Sequence, residues 1–244
     1  MSDNNFTRRS VMQTSVAAGA TLTTPTILSA ASHAGFLNIP TSSNVTLGFN
    51  VAQTGFYADE GADELRAYKL AVEHLNGKGD GGMLQTFSSK ALDGTGILGK
   101  KVEYVTGDIQ TKPDAARAWA RSMIEKHGAI MIAGGSSSGV ASSIQALCHE
   151  VGIIFMASLV HSNDITGKDK KANGFRHFLN SYMIGAALAP VLADRYGPDR
   201  KAYHLTADYD RDYTTEEAVK NSTEALGWET VCLLYTSPSP RDRS

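Results

Sequence analysis

Cysteine is almost absent: the 244-residue chain has two, Cys148 and Cys232, and neither belongs to a metal-type Cys pair. Other signatures are missing too. No His-Glu-x-x-His pair offers a zinc site, and no Gly-Lys-Ser/Thr run closes a phosphate loop. A dinucleotide fingerprint fails at Ser136, which stands where the second glycine is required. No cofactor and no metal are therefore expected. Charge of one sign is also lacking, with 23 basic against 25 acidic residues. Setting both ends aside (residues 1–34 and 232–244) removes Arg8, Arg9, Arg241 and Arg243, and of the acids Asp3 and Asp242. That leaves 19 basic and 23 acidic residues, a net charge of about −4. Nucleic acid and anionic membrane are poor partners for such a surface.

What remains has the composition of an ordinary globular protein: 42% hydrophobic, 20% charged, 23 glycines. The ends read differently. Arg8-Arg9 precede a weakly apolar, small-residue stretch from Ser15 to Ala31, and Ser32-His33-Ala34 suits a signal peptidase. Residues 1–34 thus read as a signal peptide of twin-arginine character, cleaved near Ala34, addressed to the periplasm. A membrane anchor is the competing reading. Thr21, Thr23, Thr24, Pro25 and Thr26 interrupt the apolar run well short of the roughly 18–20 residues a span needs. At the other end, one back-translation of Cys232 to Asp242 resembles a sequencing-library adapter read in frame. Residues 232–244 are accordingly expected to lie outside the fold, and the natural protein to continue differently after Val231. Cys148 is then left without a partner.

Between these ends, strand and helix patterns alternate. Val45 to Val51 is a buried strand, and Ala62, Leu65, Tyr68, Val72 and Leu75 mark one face of a helix that Asn76-Gly77 ends. Residues 77–100 read as a long surface connection. A strand at Val102 to Thr106 leads to a helix with Thr111 as cap and Pro113 in its first turn. Ala129 to Ala133 is the third strand, and Val140 to Val151 the third helix. Ile153 to Ala157 and Phe175 to Leu179 read as strands, Tyr182 to Tyr196 as a helix kinked at Pro190, and Ala202 to Thr206 as a strand. Thr214 and Glu217 form a capping-box pattern for a last helix ending at Gly227. Repeated strand–helix–strand crossovers predict an α/β fold: a parallel sheet flanked by helices.

In such sheets ligands bind in loops at the carboxyl ends of strands. Ser136, Ser137 and Ser138 join a buried strand to a helix N-terminus, where free N–H groups and hydroxyls suit an anion such as a carboxylate. A tight turn with a helix cap explains the same residues without a ligand. Gly135-Ser136-Ser137-Ser138-Gly139 also matches the Gly-x-Ser-x-Gly elbow of serine hydrolases, with Ser137 as nucleophile and His161, His177 or His204 as base. No His-Gly-Gly oxyanion run precedes it, and so rich a Ser/Gly stretch produces the pattern by chance. His74, His127 and His149 fall at helical positions, and Lys168 to Lys171 is a solvated run. Tyr57, His161, Asp208, Tyr209 and Tyr213 sit in the remaining loops, where they could close over a small ligand or serve as ordinary loop polarity.

With these loops placed, Val45 to Val231 resembles the extracellular solute-binding proteins of branched-chain amino acid and amide/urea ABC importers. The resemblance is carried by Thr54-Gly55, by Ala71 to Gly79, by Leu98-Gly99-Lys100-Lys101-Val102-Glu103, by Ser137-Ser138-Gly139-Val140 and by Ser162-Asn163-Asp164. It implies a two-lobed trap, with 44–180 as most of lobe one and 181–231 as the opening of lobe two. It implies no enzyme but a monomeric carrier that delivers its solute to ABC permease subunits. The family's contacts fall on Ser137 and Ser138 for a ligand carboxylate, and on Leu159 and His161 for an amino group. His161 replaces the usual small residue. In the second lobe the family's Tyr-Gly is replaced by Asp210-Arg211-Asp212-Tyr213, so Asp208 and Tyr209 are the expected contacts, with Tyr57 and Ser136 completing the site.

Overall fold

The computed structural model describes Pro40 and residues 42–78 and 95–236. The expected signal peptide, the glycine-rich stretch 79–94 and residues 237–244 lie outside them. Twelve elements follow in alternation: β1 (Asn44–Val51), α1 (Ala58–Leu75), β2 (Lys101–Asp108), α2 (Pro113–His127), β3 (Met131–Gly135), α3 (Ser138–Val151), β4 (Ile154–Ser158), β5 (Gly174–Arg176), α4 (Ser181–Tyr196), β6 (Lys201–Ala207), α5 (Asp210–Glu224) and β7 (Glu229–Thr236). A 3₁₀ turn, Asn163–Thr166, lies between β4 and β5.

Five strands form one parallel sheet in the order β2-β1-β3-β4-β5. Strand periodicity explains how its two faces are filled. Val45, Leu47, Phe49 and Ala133 turn to one side and pack with Val72 of α1. Ile132, Phe155 and Ala157 turn to the other and pack with Met123 of α2 and with Ile144, Leu147 and Cys148 of α3. Helices therefore cover both faces, and the central strands β1, β3 and β4 read as largely apolar runs, as parallel sheets require. The order reverses between β1 and β3, so the loops after those strands diverge and leave a crevice at their carboxyl ends.

Side chains fix the joints. Asn76 at the end of α1 accepts from Val102 N–H at 2.9 Å and donates to Val102 O at 2.8 Å, extending the hydrogen-bonded edge of β2. Asp108, closing β2, accepts from the backbone of Gln53, Thr54 and Gln110 and from the Thr54 hydroxyl at 2.6 Å. Slight burial raises its carboxyl, but these hydrogen bonds outweigh that and hold it below the usual range.

Several boundaries differ from expectation: β5 is Gly174–Arg176 rather than Phe175 to Leu179, α3 starts at Ser138 rather than Val140, and the others have clear local causes. Gly128 is left-handed (φ 64°), and Ala129 still donates back to Met123 O in the helix cap, so β3 starts two residues late. Lys112, not Thr111, holds the N-cap position of α2, because Thr111 is itself left-handed at φ 54°. The Thr214/Glu217 capping box does not form. Asp210 and Asp212 complement the positive end of α5 one turn earlier, and Thr214, already helical, donates to Arg211 O at 2.9 Å. α5 ends at Glu224 rather than running to Gly227.

The remaining elements are separate from the large sheet. β6 and β7 pair only with each other among the described strands, in parallel, with an irregularity at Ala202/Tyr203. Against expectation, Cys232 to Thr236 do not lie outside the fold: they form the end of β7, paired with Tyr203 to Ala207 of β6, and Cys232 is half-buried. α4 and α5 cross closely at Gly185, where a Cβ would collide with the Ala218 carbonyl. Pro190 lies inside α4, which continues to Tyr196. Tyr203 and Leu205 of β6 are 76% and 75% exposed, and Tyr182, Met183 and Val191 of α4 are also exposed.

Candidate functional site

The crevice at the β1/β3 reversal is a cleft of about 160 Å³ lined by Tyr57, Glu60, Ser136, Ser138, Leu159, His161, Tyr209 and Arg211. That volume is below the range usual for drug-sized ligands and suits a small solute. Its floor is the turn after β3. Gly134 has φ 128°, and a Cβ there would strike the Asn50 carbonyl of the neighbouring strand. Ser136 follows at φ 42°, a left-handed conformation uncommon outside glycine. Leu159, just after β4, is left-handed as well at φ 53°. Two such corners lining one cleft are the kind of backbone that binding sites hold in place.

Ser137 is the N-cap residue of α3, but its side chain makes no capping bond. Its Oγ lies 2.6 Å from Tyr209 Oη, and the Ser138 N–H donates to the same phenol oxygen at 3.1 Å. An oxygen therefore already sits on the positive end of α3, contributed by the residue that opens α5. Ser138 Oγ in turn accepts from Ser162 N–H at 3.4 Å.

The opposite wall carries Leu159, His161 and Arg211. His161 carries its ring 5.1 Å from that of Phe178, edge to face. Burial, then Arg211 and Arg176, lowers its imidazole below the ordinary 6.5, against the opposing pull of Asp212. The His161 carbonyl accepts from Ser181 N–H at 2.8 Å and from the Ser181 hydroxyl at 3.1 Å, which fastens α4 beside the cleft. Arg176 donates to the carbonyls of Val160 and Ser162 and braces the same loop. Burial, then the neighbouring Tyr209, raises the Tyr57 phenol.

Of the residues expected from sequence, Tyr57, Ser136, Ser138, Leu159, His161 and Tyr209 are brought together at the cleft, and Ser137 joins them through Tyr209. Asp208 stands apart: it is exposed and accepts from the Tyr213 phenol. Glu60 and Arg211 also line the cleft, and sequence reasoning missed them. Both sit in charged helix starts, Asp59-Glu60 and Asp210-Arg211-Asp212, which read as solvated ends. Glu64 was missed as well. It lies beneath the floor and accepts from Ser136 Oγ at 3.0 Å and from Tyr68 Oη at 2.7 Å. Its position four residues before Tyr68, on the inward stripe of α1, was the available signal.

A family profile described as periplasmic binding protein matches residues 44–242. The chain belongs to the periplasmic binding protein family. Solved structures share the fold. A periplasmic binding protein from Burkholderia mallei is 22% identical with a TM-score of 0.66, over 80% of this chain and 47% of that one. A substrate-binding protein of an ABC transporter from Desulfitobacterium hafniense, complexed with Leu, is 18% identical with a TM-score of 0.63, over 82% and 53%. A solute-binding protein from Rhodopseudomonas palustris BisB5, complexed with 3,4-dihydroxybenzoic acid, is 20% identical with a TM-score of 0.61, over 80% and 48%. This member of the family spans about half the length of those structures. No curated protein sequence matches it significantly. The family and its fold are those of transport binding proteins rather than enzymes. The Ser137 hydroxyl faces a phenol, and no histidine is paired with a carboxylate among the described residues, so the hydrolase reading lacks its triad geometry.

Proposed function

We propose that this chain is the ligand-capturing component of an ABC importer, which holds a small carboxylate-bearing solute in the cleft and hands it to permease subunits in the membrane. Branched-chain amino acids and related amides or urea are the first solutes to test. In this reading residues 44–180 belong to one lobe and 181–231 to a second, and the carrier works as a monomer without a cofactor. Arg8-Arg9 direct export to the periplasm by the twin-arginine route, with cleavage near Ala34. Ser137 and Ser138 receive the carboxylate, Leu159 and His161 an amino group, and Tyr57, Ser136 and Tyr209 close the site. Asp208 enters only if the second lobe turns inward.

The observation that carries this reading is the Tyr209 phenol oxygen on Ser137 Oγ and Ser138 N–H. A carboxylate oxygen placed there would receive the same donors with charge assistance. A second reading, aromatic hydroxy acids, draws on the same contact, because the group seated there is a phenol. The Rhodopseudomonas relative complexed with 3,4-dihydroxybenzoic acid points the same way.

Thermal shifts of the full-length protein test both. A ligand at about 100 times its Kd stabilises by roughly 2.7 kcal/mol, which at about 2–4 °C per kcal/mol is a shift of roughly 5–10 °C. Amino acids, amides, urea and hydroxybenzoates form the panel. If nothing in it shifts melting and a fluorophosphonate labels Ser137, the hydrolase reading replaces this one.

A further inference from the structure

Glu64 is the acid of α1 that turns away from solvent, 8% exposed, while Asp59, Glu60, Asp63 and Glu73 of the same helix face water. No cation pairs with it among the described residues. A buried carboxylate without a countercharge needs hydrogen bonds, and here hydroxyls supply them: Tyr68 Oη, Ser136 Oγ and Ser158 Oγ all donate to it. Burial, then the negative charge of Glu64, raises the Tyr68 phenol, so that hydroxyl keeps its proton to donate.

Two consequences follow from where these partners sit. Ser136 is the left-handed corner after β3, and Ser158 ends β4 directly before the left-handed Leu159. One carboxylate thus ties both cleft-forming loops to α1. The second consequence concerns polarity. A serine hydroxyl has one hydrogen, and an ionised carboxylate only accepts. Ser136 spends its hydrogen downward on Glu64, so toward the cleft it offers lone pairs alone. The Ser138 N–H, next to it, presents a donor, and the Ser137 hydroxyl, whose hydrogen is not committed to Glu64, can supply a second.

We propose that Glu64 is the positioning and specificity residue of the cleft: acting through Ser136 and Ser158, it sets the two ligand loops and makes Ser136 an acceptor for an N–H or O–H group of the bound solute. This rests on the capture reading and adds to it a polarity, donors at Ser137/Ser138 for the anionic end and an acceptor at Ser136 for a donor end.

The test compares probes that differ only in that donor: L-leucine against 4-methylpentanoate, and 4-hydroxybenzoate against benzoate. Each is titrated calorimetrically into the full-length native protein, Glu64→Gln, Ser136→Ala and the double variant. Glutamine keeps the shape of Glu64 and one accepting oxygen. Because Tyr68 and Ser158 both donate to one oxygen of Glu64, that position keeps the amide oxygen and the N–H₂ faces Ser136, whose hydrogen is then free to turn into the cleft. In the native protein the donor-bearing probe of at least one pair binds at least about ten-fold more tightly than its partner, as one hydrogen bond to a charged or strongly polar group implies. Glu64→Gln and Ser136→Ala each cut that preference by at least about five-fold, the contacts at Leu159 and His161 keeping the rest, and change the donor-free probe by less than about three-fold. The double variant is no weaker than Ser136→Ala alone, because the two act through one hydroxyl. A purely structural Glu64 would weaken both probes of a pair equally, with losses that add, and that result overturns this proposal while leaving capture intact. Native protein that binds none of the four probes nor any other small carboxylate overturns the capture reading and this proposal with it. Should Glu64→Gln not fold, Ser136→Ala decides by the same ratio: an unchanged preference overturns the assignment.

Discussion

β3 and β6 share one local plan, a strand that runs into a loop lining the cleft and then into a helix, yet they are supported differently. β3 lies between β1 and β4, with Ile132 packed toward α2 and α3 and Ala133 toward α1. β6 has one neighbour, β7, and exposes Tyr203 and Leu205 on one face. The loop after β3 can therefore hold a left-handed serine in a fixed place, since the strand beneath it is packed on every side. The loop after β6 brings Tyr209 to the same cleft on a far less buried base. The fixed half of the site is the serine loop, and the adaptable half is the phenol that meets it.

The widest gap between the two regions should appear in their response to truncation. Phe155→Ala in β4 removes a fully buried ring and should cost about 3–5 kcal/mol. Leu205→Ala in β6 should cost no more than about 0.5 kcal/mol. Urea denaturation measures both, and a cost above about 2 kcal/mol at Leu205 would mean that this face is covered in the full-length protein. Gly185→Ala attacks the second region where it is tight, at the α4–α5 crossing, and should destabilise by about 1–3 kcal/mol. A neutral result there would show that the two helices slide freely.

Tyr209→Phe cuts the link between the regions. Freed of its internal occupant, the end of α3 should bind a carboxylate probe about five-fold more tightly, the equivalent of about 1 kcal/mol for one hydrogen bond. Weaker binding on calorimetry would mean that the contact Tyr209 makes with the solute in closing the site outweighs its competition for the end of α3. The smallest effect concerns pH. His161 is held below 6.5 in the folded chain, so its neutral ring favours folding above that value. That contribution is lost as pH falls through the lowered folded value, and stability should drop between pH 7.5 and 5.5 by less than about 1 kcal/mol, read from urea denaturation at each pH. His161→Asn should flatten that slope, and an unchanged slope would place the pH sensitivity elsewhere.

Much of this was legible in the sequence, and the gaps have physical causes. The central strands β1, β3 and β4 announced themselves because both faces are largely buried, which makes runs such as Ile132-Ala133 and Phe155-Met156-Ala157 continuous and apolar; β5, short and with Phe175 exposed, was placed too late. The serine loop was legible because glycine and serine between strand and helix is a pattern with one geometry. The start of α5 was not, since Thr214 and Glu217 imitate a cap that Asp210 and Asp212 pre-empt. Glu64 escaped because an acid among acids on a helix looks solvated until its partners, 72 and 94 residues away, are folded against it. Arg211 is invisible for a similar reason: its role depends on which side of a helix start meets the cleft.

The two thiols divide between the two regions just compared. Cys148 is fully buried on α3, and burial pushes its thiol up to about 12, with Arg117 opposing. Since the thiolate is the reacting form, Cys148 is silent toward a maleimide until α3 lifts from the sheet. Cys232, half-buried on β7, marks the other region. Mass spectra taken at successive labelling times would carry two clocks, one for the opening of each region, without any engineered probe.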